Sequence, residues 1–236
     1  MLRLTICIIG LFFVTYNYAA TISDLTNKSY ILYEVEISTN LKMKLLNDKT
    51  DSLLDIAINK ETLEFSNSET FLYFKSGPIL RLTEKNALSV YCPTDTTYTV
   101  KLYSIKNNRW ALTDSIGGLE AFPSQFELTF DDYNFDKQTD IYIQVSVSSG
   151  WSLSKGHLLT IDPLTGKFTR HEEIRNLANM KPDPKTKTVV SELWNGYNLK
   201  GQHQLTIFTN KWIKGKLLTI KKKGDNTEIK GGRHLH

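Results

Sequence analysis

The chain has 236 residues, with 29 Lys and Arg against 25 Asp and Glu, which gives a formal net charge of +4. This charge is mild and no segment resembles a nucleic-acid-binding motif, so that class of function is disfavoured. Only two cysteines occur, Cys7 and Cys92, and a disulfide framework is therefore excluded.

Residues 1–20 have the three parts of a secretory signal peptide. Met1-Leu2-Arg3 is short and basic, residues 4–14 are almost wholly apolar, and small residues follow at Ala19-Ala20. The apolar core is short for a membrane span, and no other apolar run is long enough to be one. We expect an exported protein, periplasmic or secreted, with no membrane span after cleavage; an uncleaved anchor is the alternative.

The remaining chain is rich in residue types that are common in strands. Apolar and polar residues alternate over 31–38, 126–130 and 141–148, and period-two alternation predicts β-strands. Only the segment EEIRNLAN at 172–179 looks helical, and residues 181–184 (KPDP) look like a rigid surface loop.

Three segments have the form of β-hairpins, namely 98–116, 157–174 and 203–223. Their turns are predicted at Asn107-Asn108, at Thr165-Gly166 and near Lys214-Gly215. The recurrence predicts an all-β fold of antiparallel sheets, either propeller-blade-like or a β-sandwich built from hairpin repeats.

Gly117-Gly118 is the best candidate for a domain boundary. The predicted organisation is a signal peptide at 1–20, an N-terminal β region at 21–118 and a C-terminal β region at 119–236. One continuous β domain is the alternative.

Positive charge is concentrated late in the chain, where it marks either an acidic partner or a solvated edge strand protected by lysines. The residues are Lys211, Lys214, Lys216, Lys221, Lys222 and Lys223.

The segment FDDYNFDKQTDIYI at 130–143 has the spacing of a calcium loop. Counted from Asp132, side-chain oxygens fall at positions one, three, five and nine, and position seven would offer a backbone carbonyl. Hard oxygen ligands of this kind suit Ca²⁺. The predicted ligands are Asp132, Asn134, Asp136, Gln138 and Asp140.

The loop departs from an EF-hand in two ways. Ile143 stands where the bidentate glutamate belongs, and Lys137 stands at position six, where glycine usually makes the sharp turn. Two interpretations follow: a calcium site closed by Asp140, or a metal-free acidic turn with Lys137 as an internal counter-ion.

Residues of about 125–225 resemble a family of exported bacterial β proteins. The resemblance is carried by FDDYNFDKQTDIYIQVSV, a Ser/Gly loop, HLLTIDPLTGKFTRHEEIRNLAN and DPKTKTVVS. The family is similar to FG-GAP-type propeller blades in its calcium loop. It includes periplasmic inhibitors of lysozyme-like enzymes, some of which serve as immunity proteins against secreted peptidoglycan hydrolases.

The resemblance implies an inhibitory loop at 146–156, containing Ser148, Ser149, Gly150 and Trp151, and a lysozyme-like glycoside hydrolase as protein partner. Such hydrolases have two carboxylates in a sugar-binding cleft, which loop hydroxyls can satisfy while Trp151 acts as an interface anchor. Trp151 lies nearer to the glycine than the aromatic residue of the family usually does. The alternative is an ordinary hairpin loop whose tryptophan packs on the sheet.

The sequence offers no convincing catalytic motif. His171-Glu172-Glu173 lacks the second histidine of a zinc helix, and Asp131 and Asp132 are adjacent, so they cannot flank a glycosidic bond. We therefore expect no enzyme. Besides inhibition, the remaining interpretation is an exported binding or surface module with structural calcium and no inhibitory activity.

Overall fold

The chain divides into two compact units, residues 1–48 and 49–236. The computed structural model describes residues 38–81, 84–147, 153–200 and 203–224. The described part of the first unit is helical, and this helix, α1, spans residues 38–57. Across the described residues, no helix combines the length and apolar character that a membrane crossing requires.

Most of the second unit consists of three antiparallel sheets whose strands follow chain order. The first sheet contains β1 (Leu63–Asn67), β2 (Leu72–Arg81), β3 (Glu84–Tyr91), β4 (Thr97–Lys106) and β5 (Arg109–Glu120). The second contains β6 (Glu127–Asp131), β7 (Asp140–Val147), β8 (Ser154–Ile161) and β9 (Phe168–Arg170). The third contains β10 (Ala178–Asp183), β11 (Thr188–Tyr197), β12 (His203–Ile213) and β13 (Lys216–Gly224).

The prediction of an all-β fold of antiparallel sheets is confirmed. The three predicted hairpins are present as β4–β5, β8–β9 and β12–β13. Asn107 and Asn108 both have positive φ, 49° and 59°, as do Lys214 and Gly215 at 51° and 75°. Two-residue turns with positive φ match the twist of the strands they join, which is why asparagine and glycine occupy them.

The second sheet is the central layer, because its two faces contact different sheets. Successive side chains of a strand point to opposite faces. Ile141 and Ile143 belong to the core cluster shared with the first sheet, whereas Tyr142 belongs to the cluster shared with the third. On β8, Leu159 and Leu158 divide in the same way. The alternation of side chains that predicted strand β7 therefore places its successive residues in two different cores.

Gly117 and Gly118, the predicted domain boundary, lie inside β5. Residues on both sides of this position, Leu102 and Ile143 among them, form one buried cluster. This shared core favours the alternative of one continuous β domain for the sheets on either side of residue 118.

α1 was not among the predicted elements. In the second unit, Thr50, Leu53, Leu54 and Ala57 are buried, and their spacing is that of one helical face. The predicted strand at 31–38 lies outside the described residues except for its last position, which begins α1.

Two local predictions near residue 180 are wrong. The segment 172–179 forms only a short 3-10 helix, Glu172–Ile174, and then enters β10. Most of the predicted loop at 181–184 also belongs to β10, where Pro182 pairs with Val189 of β11. β10 lies at the edge of its sheet, and an edge strand tolerates proline because one side of its backbone makes no ladder hydrogen bonds.

Among the described strands, β13 lies at the other edge of the third sheet. Four of the clustered lysines lie on β13 and are exposed, namely Lys216, Lys221, Lys222 and Lys223. This position favours the interpretation of lysines that protect a solvated edge.

Gly156 in β8 should be intolerant of any side chain. An added Cβ would lie 2.1 Å from the carbonyl oxygen of Ile143, a backbone atom of the neighbouring strand. Because overpacking costs about 1–3 kcal/mol, Gly156→Ala should lower the free energy of unfolding by at least about 2 kcal/mol. Urea denaturation measures this value.

Gly117→Ala is the matched control. The nearest atom to its added Cβ is the rotatable Thr99 hydroxyl oxygen at 3.3 Å, so the change should stay below about 1 kcal/mol. Equal effects of the two substitutions would contradict the close strand approach at Gly156.

Candidate functional site

The acidic loop connects β6 to β7, and Asp140 is the first residue of β7. Its side chain is fully buried. Oδ2 accepts the N–H groups of Tyr133 at 3.0 Å and Asn134 at 3.2 Å, while Oδ1 accepts that of Ile161 at 3.3 Å. One carboxylate therefore joins the start of the loop to β7 and β8.

The other acidic side chains of the loop bind its own backbone. Asp132 accepts the N–H groups of Asp136 at 3.1 Å and Lys137 at 2.9 Å. Asp136 accepts the N–H of Gln138 at 2.7 Å, and its other oxygen accepts the Asn134 side-chain amide at 3.0 Å. These bonds curl the loop around its own oxygens.

Lys137 takes the conformation that glycine was expected to supply. Its φ is 71°, and Phe135 two positions earlier has a φ of 63°. Both values lie in the left-handed region that glycine adopts most easily. The sharp turn thus forms despite the lysine. Within the described part of the chain, Lys137 forms no ion pair with the loop aspartates, which disfavours its role as an internal counter-ion.

The negative charge of Asp140 is poorly compensated. Burial raises the pKa of this carboxyl to about 8, the charge of Asp136 adds to the rise, and the three N–H groups oppose it. A buried carboxylate without a cationic partner is costly, and either a proton or a metal ion relieves that cost.

The donor set fits calcium in its chemistry: it offers hard oxygen atoms, and one carboxylate is buried without a partner cation. Within the described residues, no three His, Cys, Asp or Glu side chains are grouped as metal ligands. The Gln138 side chain is turned away and donates to the Ile161 carbonyl at 2.9 Å, which leaves its backbone carbonyl as the predicted ligand. The loop thus has suitable donors, most of which bind N–H groups in this structure.

The predicted inhibitory residues Ser148, Ser149, Gly150 and Trp151 lie outside the described residues. The strands on either side are described: β7 ends at Val147 and β8 begins at Ser154, which pair with each other. Ser154 is held by two further bonds, from its N–H to Asn179 Oδ1 at 2.8 Å and from the Tyr142 hydroxyl to its carbonyl at 3.2 Å. The two ends of this connection are therefore fixed.

A cleft of about 690 Å³ opens beside these strand ends, and it was not predicted from the sequence. Its walls come from the end of β5, the 3-10 helix Pro123–Gln125, β7, β8 and the 3-10 helix Glu172–Ile174 with the residues after it. These segments are distant in sequence and meet only through folding, so no local motif announces them.

Two ion pairs and a buried histidine shape the cleft. Arg175 Nη2 lies 2.7 Å from Glu120 Oε2, and Arg170 Nε lies 2.6 Å from Glu172 Oε1. The Nε2 of His157 donates to the Glu120 carbonyl at 3.0 Å. Burial, followed by the nearby arginine charges, lowers the pKa of His157, while the bond to Glu120 opposes that change.

Comparison with known proteins does not assign the chain to a family. No protein-family model matches it, and no curated protein sequence is significantly similar to it.

Calcium should stabilise the protein if the acidic loop binds it. Calcium at a hundred times its Kd would add about 2.7 kcal/mol, which raises the melting temperature by about 5–10 °C for a domain of this size. Asp136→Ala should abolish the shift, because it removes a central ligand. Asp131→Ala should retain it, because that carboxylate lies outside the predicted ligand set. Identical melting curves of the wild type in calcium and in chelator would contradict the calcium site.

Protonation of His157 should destabilise the fold. Its folded-state pKa lies below the unfolded value of 6.5, so the unfolded chain binds more protons once the pH falls below that value. The stability contribution is complete above pH 6.5 and is lost as the pH decreases, by at most about 1.4 kcal/mol per pH unit. His157→Gln, which keeps a donor for the Glu120 carbonyl, should show a smaller loss.

Urea unfolding of both proteins between about pH 7.5 and about pH 5.5 measures this difference. The raised pKa of Asp140 acts with the opposite sign, since stability from its proton is lost as the pH rises, but it is common to both proteins and cancels. Parallel pH profiles would show that His157 has no such role.

Proposed function

We propose that the chain is an exported, calcium-binding β protein that inhibits a lysozyme-like peptidoglycan hydrolase through residues 148–151. The observation that carries this proposal is the anchoring of β7 by the buried Asp140, at the strand end opposite to the proposed inhibitory loop. Export is supported by the signal-like sequence of residues 1–20.

A binding loop is effective when rigid elements hold both of its ends. β7 and β8 lie in the central sheet, and Ile141, Ile143 and Leu159 are fully buried. The loop would therefore leave from the least deformable part of the molecule, so little conformational entropy would be lost when it meets a partner.

The metal would be held by Asp132, Asn134, Asp136, Asp140 and the Gln138 carbonyl, and bound calcium would supply the cationic partner that the loop carboxylates lack among the described residues. The protein's own contribution is the position of Asp140, whose hydrogen bonds reach Tyr133, Asn134 and Ile161. Holding this carboxylate ionised would keep the start of β7 in place.

The proposed inhibition has a simple chemistry. The target cleft contains two carboxylates, which need hydrogen-bond donors when water is excluded. The Ser148 and Ser149 hydroxyls supply donors, Gly150 allows a close approach of backbone, and Trp151 supplies an aromatic anchor of about the size of a sugar ring.

The second candidate is an exported binding module with structural calcium and no inhibitory activity. It is favoured by the cleft beside the strand ends, which has the size of a ligand site and does not include residues 148–151. Both candidates place the protein outside the cytoplasm and require no catalytic residue.

Trp151→Ala separates the two candidates. As a buried anchor, Trp151 should contribute about 2 kcal/mol or more, so its loss should weaken inhibition of the target hydrolase by roughly 30-fold. The assay is inhibition of a panel of peptidoglycan hydrolases, with and without calcium. Removal of calcium should weaken inhibition indirectly.

Tyr197→Ala is the control, because Tyr197 is an exposed aromatic residue of the third sheet. It should leave inhibition unchanged. Equal inhibition by the wild type and the Trp151 variant would move the inhibitory site elsewhere, and no inhibition of any hydrolase would favour the binding module.

A further inference from the structure

The cleft beside β7 and β8 exposes an aromatic ring. Phe122, directly before the 3-10 helix Pro123–Gln125, lines the cleft with 55% of its surface exposed. Other phenylalanines of this region, such as Phe126, pack against neighbouring rings at centroid distances of about 5 Å. Among the described residues, no ring packs on Phe122. An exposed aromatic face in a concave site is a platform for a ligand ring.

Four polar side chains of the cleft are also unpartnered. Within the described part of the chain, no hydrogen bond or ion pair engages the side chains of Gln125, Ser146, Lys155 or Asn176. Ser146 and Lys155 are register partners on β7 and β8, so their side chains lie on the same face of the sheet. Between them the four side chains supply hydroxyl, amide and ammonium groups to one space.

The cleft has one uncompensated positive charge. Glu120 is paired with Arg175, and Glu172 is paired with Arg170. These pairs cancel, and the Lys155 ammonium remains as the one charged lining group without a described partner.

We propose that this cleft binds a sugar that carries a carboxylate, with the sugar ring on Phe122 and the carboxylate on Lys155. The hydroxyl groups of such a ligand would pair with Ser146, Gln125 and Asn176. These three side chains both donate and accept, which suits a ligand with many hydroxyls better than a simple aromatic acid. The site does not include residues 148–151 and requires no calcium, but Ser146 and Lys155 belong to the strand ends that carry those residues.

Three probes separate the parts of this assignment. Glucuronate has both the sugar ring and the carboxylate, glucose has only the ring and its hydroxyls, and benzoate has a ring and a carboxylate without hydroxyls. In an amide NMR titration of the purified chain, glucuronate should shift the signals of Phe122, Ser146 and Gly156. Its affinity should exceed that of glucose and of benzoate by at least about fivefold, because only glucuronate satisfies both the charge and the polar groups.

Lys155→Gln should weaken the binding of glucuronate by about fivefold or more, to the affinity of glucose, and leave the binding of glucose unchanged. Phe122→Ala should weaken the binding of glucuronate and of glucose by the same factor. Lys221→Gln, which removes a charge from the edge strand β13, should change the affinity for neither sugar. Unshifted signals outside the cleft verify that each variant is folded.

Several results would overturn the proposal. These are no glucuronate binding, shifts confined to another surface, equal affinity for glucose, or equal affinity for benzoate. The comparison of the three probes uses only the wild type. It therefore tests the proposal even if one of the variants fails to fold.

Discussion

The structure depends on a central sheet that is buried on both faces. Apolar side chains satisfy this condition by packing, but a buried polar side chain needs a partner within the protein. Asp140, Gln144, His157 and His171 are buried polar residues at or beside this sheet. Each binds a different element: Asp140 the acidic loop, Gln144 the Gln125 carbonyl, His157 the Glu120 carbonyl, and His171 the Thr160 hydroxyl.

These buried bonds connect the layers to each other as well as satisfying polar groups. Tyr133 of the acidic loop is buried in the core shared with the third sheet, and its carbonyl accepts the Trp212 indole N–H at 2.6 Å. The loop is therefore a structural part of the interface between two sheets, and its acidic composition has to be compatible with that burial.

The sequence predicted the parts of the fold that local patterns determine. The alternation in β7 and the asparagine turn between β4 and β5 are local features, and both predictions are confirmed. The spacing of Thr50, Leu53, Leu54 and Ala57 is also a local helical signal, but it covers only two turns and lies beside strand-like segments. β10 has little signal of its own, since its extended form depends on pairing with β11. The cleft could not be predicted at all, because its residues come from segments that only the tertiary fold brings together.

The same limit applies to the acidic loop. Its spacing identified the residues that face inward, but not the N–H groups that their oxygens bind, nor the left-handed conformation of Lys137. A residue type that is unfavourable on average is compatible with such a position when surrounding hydrogen bonds determine the backbone.

Asp140 also determines how this region opens. Its carboxylate accepts the N–H groups of Tyr133 and Asn134, seven and six positions earlier, and of Ile161, 21 positions later. Because these amides share one acceptor group, displacement of that group releases them together. The acidic loop, the start of β7 and the end of β8 then form one cooperative unit of local unfolding. The ionisation and solvation of a single side chain therefore contribute to the opening free energy of all three segments at once.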